Sequence, residues 1–346
     1  MTRKTNFSGH FFSTSVRRAI ERERYSTGVS RRMLALLART EEDLIARIRA
    51  MDPESRTAIA LDQRLDAIRQ QQEEAGRLLK QSLSDELAAF GEHEADATKK
   101  ALELSSAKAS AQVAVEWNGV TREQVRAAAM SRPFAGVHLR FANLNDQLDE
   151  AGKRKAAMVR DTIRRGFIEG RGIDDIVREL RGTKAQSYQD GLLARSARTT
   201  EAIVRTAITH TATAAREEVY IANADQLTGV QWVSVLDART SPTCQAYDGQ
   251  VFKQGEGPRP PAHPNCRSTT IPVFIGEKPM KKTTYGDWLS QQDSATVTDI
   301  LGPTRAQLYQ DGGLQVDRFV NDAGTAYTLD QLKTKEAAAF KRAGLE

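Results

Sequence analysis

The two cysteines of this chain, Cys244 and Cys266, fall in one short stretch, and His263 stands three positions before the second. The stretch runs Asp237-Ala-Arg239-Thr-Ser-Pro-Thr-Cys244-Gln-Ala-Tyr-Asp248-Gly249-Gln-Val-Phe252 and continues at His263-Pro-Asn-Cys266-Arg267-Ser268. Thiolates and an imidazole are soft donors that suit Zn²⁺. Eighteen residues separate Cys244 from His263 and two separate His263 from Cys266, so one short knuckle and one distant thiol can converge on a single ion. A fourth ligand would come from Asp237, Asp248, His210 or water. Spacing alone leaves three arrangements open: one structural zinc ion, a Cys244–Cys266 contact or disulfide, and unmetallated packing around a hydrogen-bonded His263.

A catalytic Cys/His pair would need a third orienting group and oxyanion donors, and neither can be read from the sequence. A metal-dependent hydrolase or nuclease built on Cys244, His263 and Cys266, with Asp237 as base, lacks the paired acidic or His-rich sets that hold a metal and activate water. No catalytic residue and no cofactor other than the one zinc ion is therefore assigned. Asp237, Arg239, Asp248, Gly249 and Arg267 read as a structural motif. An aspartate at a turn start accepts backbone hydrogen bonds, an arginine beside it can pair with it, and Asp-Gly marks a second turn.

The elements that must position these residues follow from periodicity. Thr200 to Ala224 is the longest clear helix, with an Ala-rich face that can pack closely and His210 on or beside it. A lone histidine there reads first as a hydrogen-bonded core residue. Val230 to Leu236 is β-branched and aromatic, with Gln231 and Ser234 on opposite faces, which predicts a strand buried on both sides. Asp237 to Pro242 is a turn, Gln250 to Phe252 a small strand and Thr269 to Ile275 a closing strand. Gly255 to Pro264 holds four prolines and must be an irregular loop that delivers His263.

Upstream, apolar residues recur at helical spacing from Arg31, and Asp52-Pro53 marks a break. Leu61, Leu65, Ile68, Ala75, Leu79, Leu83, Leu87 and Phe90 then form one narrow stripe on a long helix. Such a stripe fits a helical hairpin or coiled-coil arm, which could pair with a second copy, and equally a plain bundle component. Ala101 to Val115 continues in a helix-compatible manner and Trp117-Asn118-Gly119 ends it. Thr121-Arg-Glu-Gln124 fits a capping box for a helix that stops before Pro133. Leu148 to Phe167 and Ile173 to Leu180 are two more amphipathic helices.

The composition agrees: 346 residues, 40% hydrophobic, 27% charged and 6% aromatic suggest solvated helices on a smaller packed unit. The formal net charge is +5, and residues 1–50 carry 11 Lys/Arg against 5 Asp/Glu, so the excess is an N-terminal property. Residues 1–30 are expected to be a flexible basic arm, with Arg17, Arg18, Arg31 and Arg32 as candidate contacts to nucleic acid. A solvated tail without that role, and a DNA-binding module acting through it, are the bland and sharp versions. No apolar run reaches a membrane span and no signal peptide is read, so a soluble protein made in the cytoplasm, with no membrane partner, is expected.

Thr200 through His210 to Ala215-Arg216, Tyr220 to Asp225, Gly229-Val-Gln-Trp-Val, Asp237-Ala-Arg-Thr-Ser-Pro-Thr-Cys244, Asp248-Gly249 and Pro261-Ala-His263-Pro-Asn-Cys266-Arg267-Ser268 together resemble the phage Mu protein F-like head morphogenesis domain of tailed bacteriophages. The resemblance spans about residues 195–275. Tyr285-Gly-Asp-Trp288-Leu289, Leu301-Gly-Pro-Thr-Arg305, Gly312-Gly-Leu314 and Thr328-Leu-Asp-Gln-Leu332 are similar to the tail that often follows this domain. The resemblance implies a non-enzymatic minor head protein in the virion, at the head interior or portal vertex, and in the host cytoplasm during assembly. Portal and capsid proteins are the implied partners, with packaged double-stranded DNA a further one through packaging, retention or ejection.

The expected fold is α+β and mostly helical. Residues 1–30 are the arm, 31–118 the helical hairpin or coiled-coil region, 120–275 the head morphogenesis domain with its core at 195–275, and 276–346 a C-terminal helical tail.

Overall fold

The computed structural model describes residues 7–51, 58–109, 116–133, 143–234, 240–281, 285–319 and 327–345. It is a mostly helical α+β protein. Two long helices, α1 (Phe7–Arg49) and α2 (Ala58–Ala109), are followed by α3 (Arg122–Ser131), α4 (Leu144–Ile168), α5 (Ile173–Arg181) and α6 (Leu192–Ile221). The capping box is present: Gln124 N–H donates to the Thr121 hydroxyl and the Thr121 N–H donates to the Gln124 side chain. The break expected at Asp52-Pro53 and the segment 110–115 lie outside the described residues.

The organising element is α6. From Ile203 to Tyr220 nearly every side chain is buried, because Ala and Thr occupy the positions where neighbouring helices cross. The α2 stripe is filled from within the chain. Leu83, Leu87 and Phe90 meet Val29 and Met33 of α1, Leu144 and Leu148 of α4, and Ile203 and Ile208 of α6. Leu65 and Ile68 pack with Leu44 and Ile48 of α1, Val159 and Ile163 of α4, and Ile176 and Leu180 of α5. The seam that suggested a partner helix is thus occupied by bundle neighbours. Where α2 crosses α4 the backbones come close, and a Cβ at Gly76 would lie 3.4 Å from the Gly152 Cα, so larger side chains there would push the helices apart.

The expected flexible arm is corrected by α1. Residues 7–30 are helical, and Phe11, Phe12 and Val16 are buried with Trp117, Tyr220, Val230 and Phe274. Burial of Phe11, Phe12, Val16, Val29 and Met33 along one face gives this basic segment apolar contacts that a solvated tail would lack.

After α6 the chain forms β1 (Leu227–Val233), a short helix α7 (Pro242–Tyr247), β2 (Val251–Phe252) and β3 (Thr269–Phe274). The sheet is antiparallel in the order β2-β1-β3, with Val230 opposite Phe252 and Pro272, and a bulge at Leu227/Gly229. Pro272 is tolerated because β3 is an edge strand. Both faces of β1 are covered, as the sequence predicts: Gln231 donates to the Gly249 and Met280 carbonyls and Ser234 donates to the Cys244 carbonyl. Among the described residues five short α-helices follow, α8 (Tyr285–Leu289), α9 (Ser294–Leu301), α10 (Pro303–Gln310), α11 (Leu329–Lys335) and α12 (Ala337–Arg342). Trp288, Leu289 and Val297 close the cluster that holds Phe11. No described helix is long and apolar enough to cross a membrane.

Charge locks the three central helices together. The Glu94 carboxylate of α2 accepts from Arg18 of α1 at 2.7 Å and from Arg216 of α6 at 2.7 Å, with Glu94 and Arg216 side chains 6% and 5% exposed. Glu94→Ala leaves Arg216 buried and uncompensated, and should cost about 3–5 kcal/mol. Denaturant midpoints should show the double variant Glu94→Ala/Arg216→Met to be less destabilised than the sum of its singles. Simple additivity would contradict this coupling.

Candidate metal centre

Each ligand-type side chain is delivered by a different device. Cys244 lies on α7, directly after the turn that the sequence places at Asp237 to Pro242. Ser241 caps that helix by accepting from the Cys244 N–H at 3.2 Å, and Pro242 occupies its first turn. A Ser-Pro pair is a helix-start signal, so α7 was open to detection from sequence. The proline-rich loop is irregular, as expected. Arg259 within it donates to the carbonyls of Glu256, Pro258 and Lys253 and forms an ion pair with Glu217 of α6 at 2.9 Å. That pair pins the loop to the central helix.

The knuckle 263–266 closes with the Cys266 N–H donating to the His263 carbonyl at 3.2 Å. Two threonines of α6 hold it: the Asn265 N–H donates to Thr206 and Thr209 donates to the Cys266 carbonyl, both at 3.1 Å. From the other side Arg22 of α1 reaches the Arg267 and Ser268 carbonyls at 3.2 and 3.3 Å. Its guanidinium pKa is lowered to about 10 by burial and by nearby Arg216.

Trp232, Cys244, Ala262 and Cys266 form a small buried cluster with Tyr247 and Phe252 against it. Within it Cys244 Sγ lies 3.2 Å from His263 Nε2 and 3.6 Å from Cys266 Sγ, and both thiols are free. All three donor atoms lie within 4.8 Å of one another, and among the described residues they are the one such group of His, Cys, Asp and Glu. His263 Nδ1 donates to the Pro264 carbonyl at 2.8 Å, which turns Nε2 toward the sulfurs. The hydrogen bond from Cys244 and the neighbouring His263 hold the Cys266 thiol well below its ordinary pKa despite burial. The partner thiol, Cys244, is pushed up by that same hydrogen bond and by burial. The His263 imidazole is raised by Cys266. The arrangement can therefore hold a thiolate, a thiol and an imidazole at one point.

The candidate fourth ligands behave differently. Asp237 and Arg239 lie outside the described residues. Asp248 uses its carboxylate to accept from the Ser234 N–H at 2.8 Å, which fixes the end of β1, and Gly249 takes the left-handed turn at φ 81° that lets its N–H reach the Trp232 carbonyl. His210, which reads both as a hydrogen-bonded core residue and as a candidate fourth ligand, lies in the core. It is buried beside Ala129 of α3, with Arg132 and Thr213 nearby. Arg267 lines an open cleft beside the knuckle with Arg198, Arg205 and Glu23.

Sequence reasoning missed Arg22, Ser234, Ser268 and the two threonines. Arg22 acts across 245 residues, a separation that carries no local signal. Of the N-terminal arginines, Arg18 pairs with Glu94, Arg17 donates to Thr296 and Arg32 pairs with Glu86, while Arg31 is exposed. Arg18 is thus a structural residue.

With this geometry in place, the comparison with known families is decisive for the segment that carries it. Residues 157–271 match the family model described as phage Mu protein F like protein. This segment, a third of the chain, is similar to the Mu F-like family. It runs from the middle of α4 through α5, α6 and α7 into β3, so it contains the whole Cys/His cluster and starts well before the span read from motifs. No curated protein and no solved structure matches the chain. A Mu F-like domain points to a phage head morphogenesis protein, a component of the virion.

His210 gives the centre's surroundings a pH signature. Burial lowers its pKa from 6.5 to about 4. Below pH 6.5 the unfolded chain takes up a proton that the folded chain refuses, so stability falls as pH drops from 6.5 toward 4, by up to about 3 kcal/mol. The variant His210→Gln should lose that part of the pH dependence in unfolding midpoints measured between pH 4 and 7. A profile parallel to wild type would contradict the assignment.

Proposed function

We propose that this chain is a non-enzymatic minor head protein of a tailed bacteriophage, docked at the portal vertex and acting in head assembly and in DNA packaging, retention or ejection. The observation that carries the reading is the Mu F-like segment itself, residues 157–271. The way it is built also favours a docking role. The cluster of rare residues is embedded in backbone hydrogen bonds from α1 and α6, which suits a fixed surface. Among the described residues the one close group of metal-type donors is two thiols and an imidazole, a set that can hold a structural ion between α7 and the loop. Protein docking is favoured over a DNA grip by the N-terminal arginines, because Arg17, Arg18 and Arg32 already have partners within the chain.

In a phage carrying this gene, the protein should be present in purified virions at far fewer copies than the major capsid protein and should co-purify with the portal. Deleting it should give heads that fail to fill or fail to infect. Recovery of the protein solely as free monomer, alongside normal infectious heads in its absence, would overturn the proposal.

A further inference from the structure

The Cys/His cluster sits on the wall of a cleft of about 1080 Å³. His263 and Cys266 line that cleft, as do Thr240, Ser241 and Arg267, whereas Cys244 is not part of the lining. The donor positions can be tested against a tetrahedral ion. Zinc bound at about 2.3 Å to sulfur and about 2.0–2.1 Å to nitrogen gives tetrahedral edges of about 3.8 Å between sulfurs and about 3.5 Å from sulfur to nitrogen. The observed separations are 3.6 Å for Cys244 Sγ to Cys266 Sγ and 3.2 Å for Cys244 Sγ to His263 Nε2. The third edge is also within 4.8 Å. The sulfurs would have to come about 1.5 Å closer to reach the roughly 2.05 Å of a disulfide.

The supports around the donors match those of a metal site. His263 presents Nε2 because Nδ1 donates to the Pro264 carbonyl, the kind of outer hydrogen bond that fixes the tautomer of a ligating histidine. The backbone beside Cys266 is held by Thr209 and Arg22, and the Cys244 helix is capped by Ser241. The ligand atoms are thus held before any ion arrives.

We propose that Cys244, His263 and Cys266 bind one Zn²⁺ ion as three protein ligands, with an exchangeable water at a fourth position that opens into the cleft between α1, α6 and the His263 loop. Of the described candidates, Asp248 and His210 do not supply the fourth ligand, since the first caps Ser234 and the second faces α3; Asp237 lies outside the described residues, and the azide arm of the test separates it from water. The ion ties the short α7 to the proline-rich loop, two segments with little regular backbone pairing, and leaves one soft Lewis-acidic vertex for a small exogenous donor. The proposal does not depend on the role of the protein in the phage head.

The test uses the full chain purified under reducing conditions without chelator. Elemental analysis should find one equivalent of zinc, which Cys266→Ser should lose, and His263→Ala should weaken binding at least roughly tenfold. If the serine variant does not fold, wild type treated with a strong chelator should release the zinc and take it up again on addition of Zn²⁺. Cobalt substitution should give the visible bands of a tetrahedral ion and a thiolate charge-transfer band, and azide should shift the visible bands by replacing the water. No metal uptake with two free thiols, or a Cys244–Cys266 disulfide that persists after reduction and refolding with zinc, would overturn the site. Bound zinc whose cobalt spectrum is unmoved by azide would overturn the open vertex.

Discussion

The structure depends on one buried carboxylate. Glu94 of α2 stands between Arg18 of α1 and Arg216 of α6, and this three-way contact fixes the relative heights of the three longest central helices. A buried ion pair brings little net stability, because desolvation offsets most of the attraction. What it brings here is register. Apolar stripes of Leu, Ile and Ala can slide by a turn at small cost, but a carboxylate and two guanidiniums must meet. One turn further along α1 from Arg18, Arg22 uses the same alignment to reach the carbonyls behind Cys266. The position of the Cys/His knuckle is therefore tied to a charge contact two turns along the same face of α6 from Thr209.

This arrangement makes the Mu F-like segment part of a larger folding unit. Its central helix is covered by α1, α2 and α3, all of which precede residue 157. The boundary of the family match falls inside α4 and so marks where sequence similarity begins, while the hydrophobic core continues across it. The C-terminal helices are joined in the same way, through Trp288 and Leu289 against Phe11.

How much of this was legible depended on range. Local patterns carried the stripe of α2, the Thr121 capping box, the two helices before Gly182, the body of α6 and the two-sided burial of β1. Helix ends were less exact: α6 starts at Leu192, eight residues earlier than its apolar pattern suggested, because Arg195, Ser196, Arg198 and Thr199 interrupt the pattern after the opening leucines. The short α7 has no counterpart in the sequence reading, because the turn chemistry of Asp237 to Pro242 masks the Ser-Pro helix start. At the candidate site the three donors were found from residue type and spacing. The supports were not, since Thr206, Thr209 and Arg22 are ordinary helix residues whose roles exist only once α1 and α6 lie beside the loop. The N-terminal segment misled for a related reason. Its basic composition resembles a solvated tail until Glu94 and Glu86 supply counter-charges from another helix.

The contact between Arg22 and the residues after Cys266 also orders events during synthesis. The two partners are separated by 245 residues, so at the usual pace of about 5–20 residues per second the ribosome delivers the second roughly 12–50 s after the first. Throughout that interval α1 has a finished sequence but lacks the strands that cover Phe11 and Phe12. A nascent chain in this state presents an apolar, positively charged helix. The apolar face of α1 that carries Phe11 and Phe12 is thus completed late, by strands made long after it.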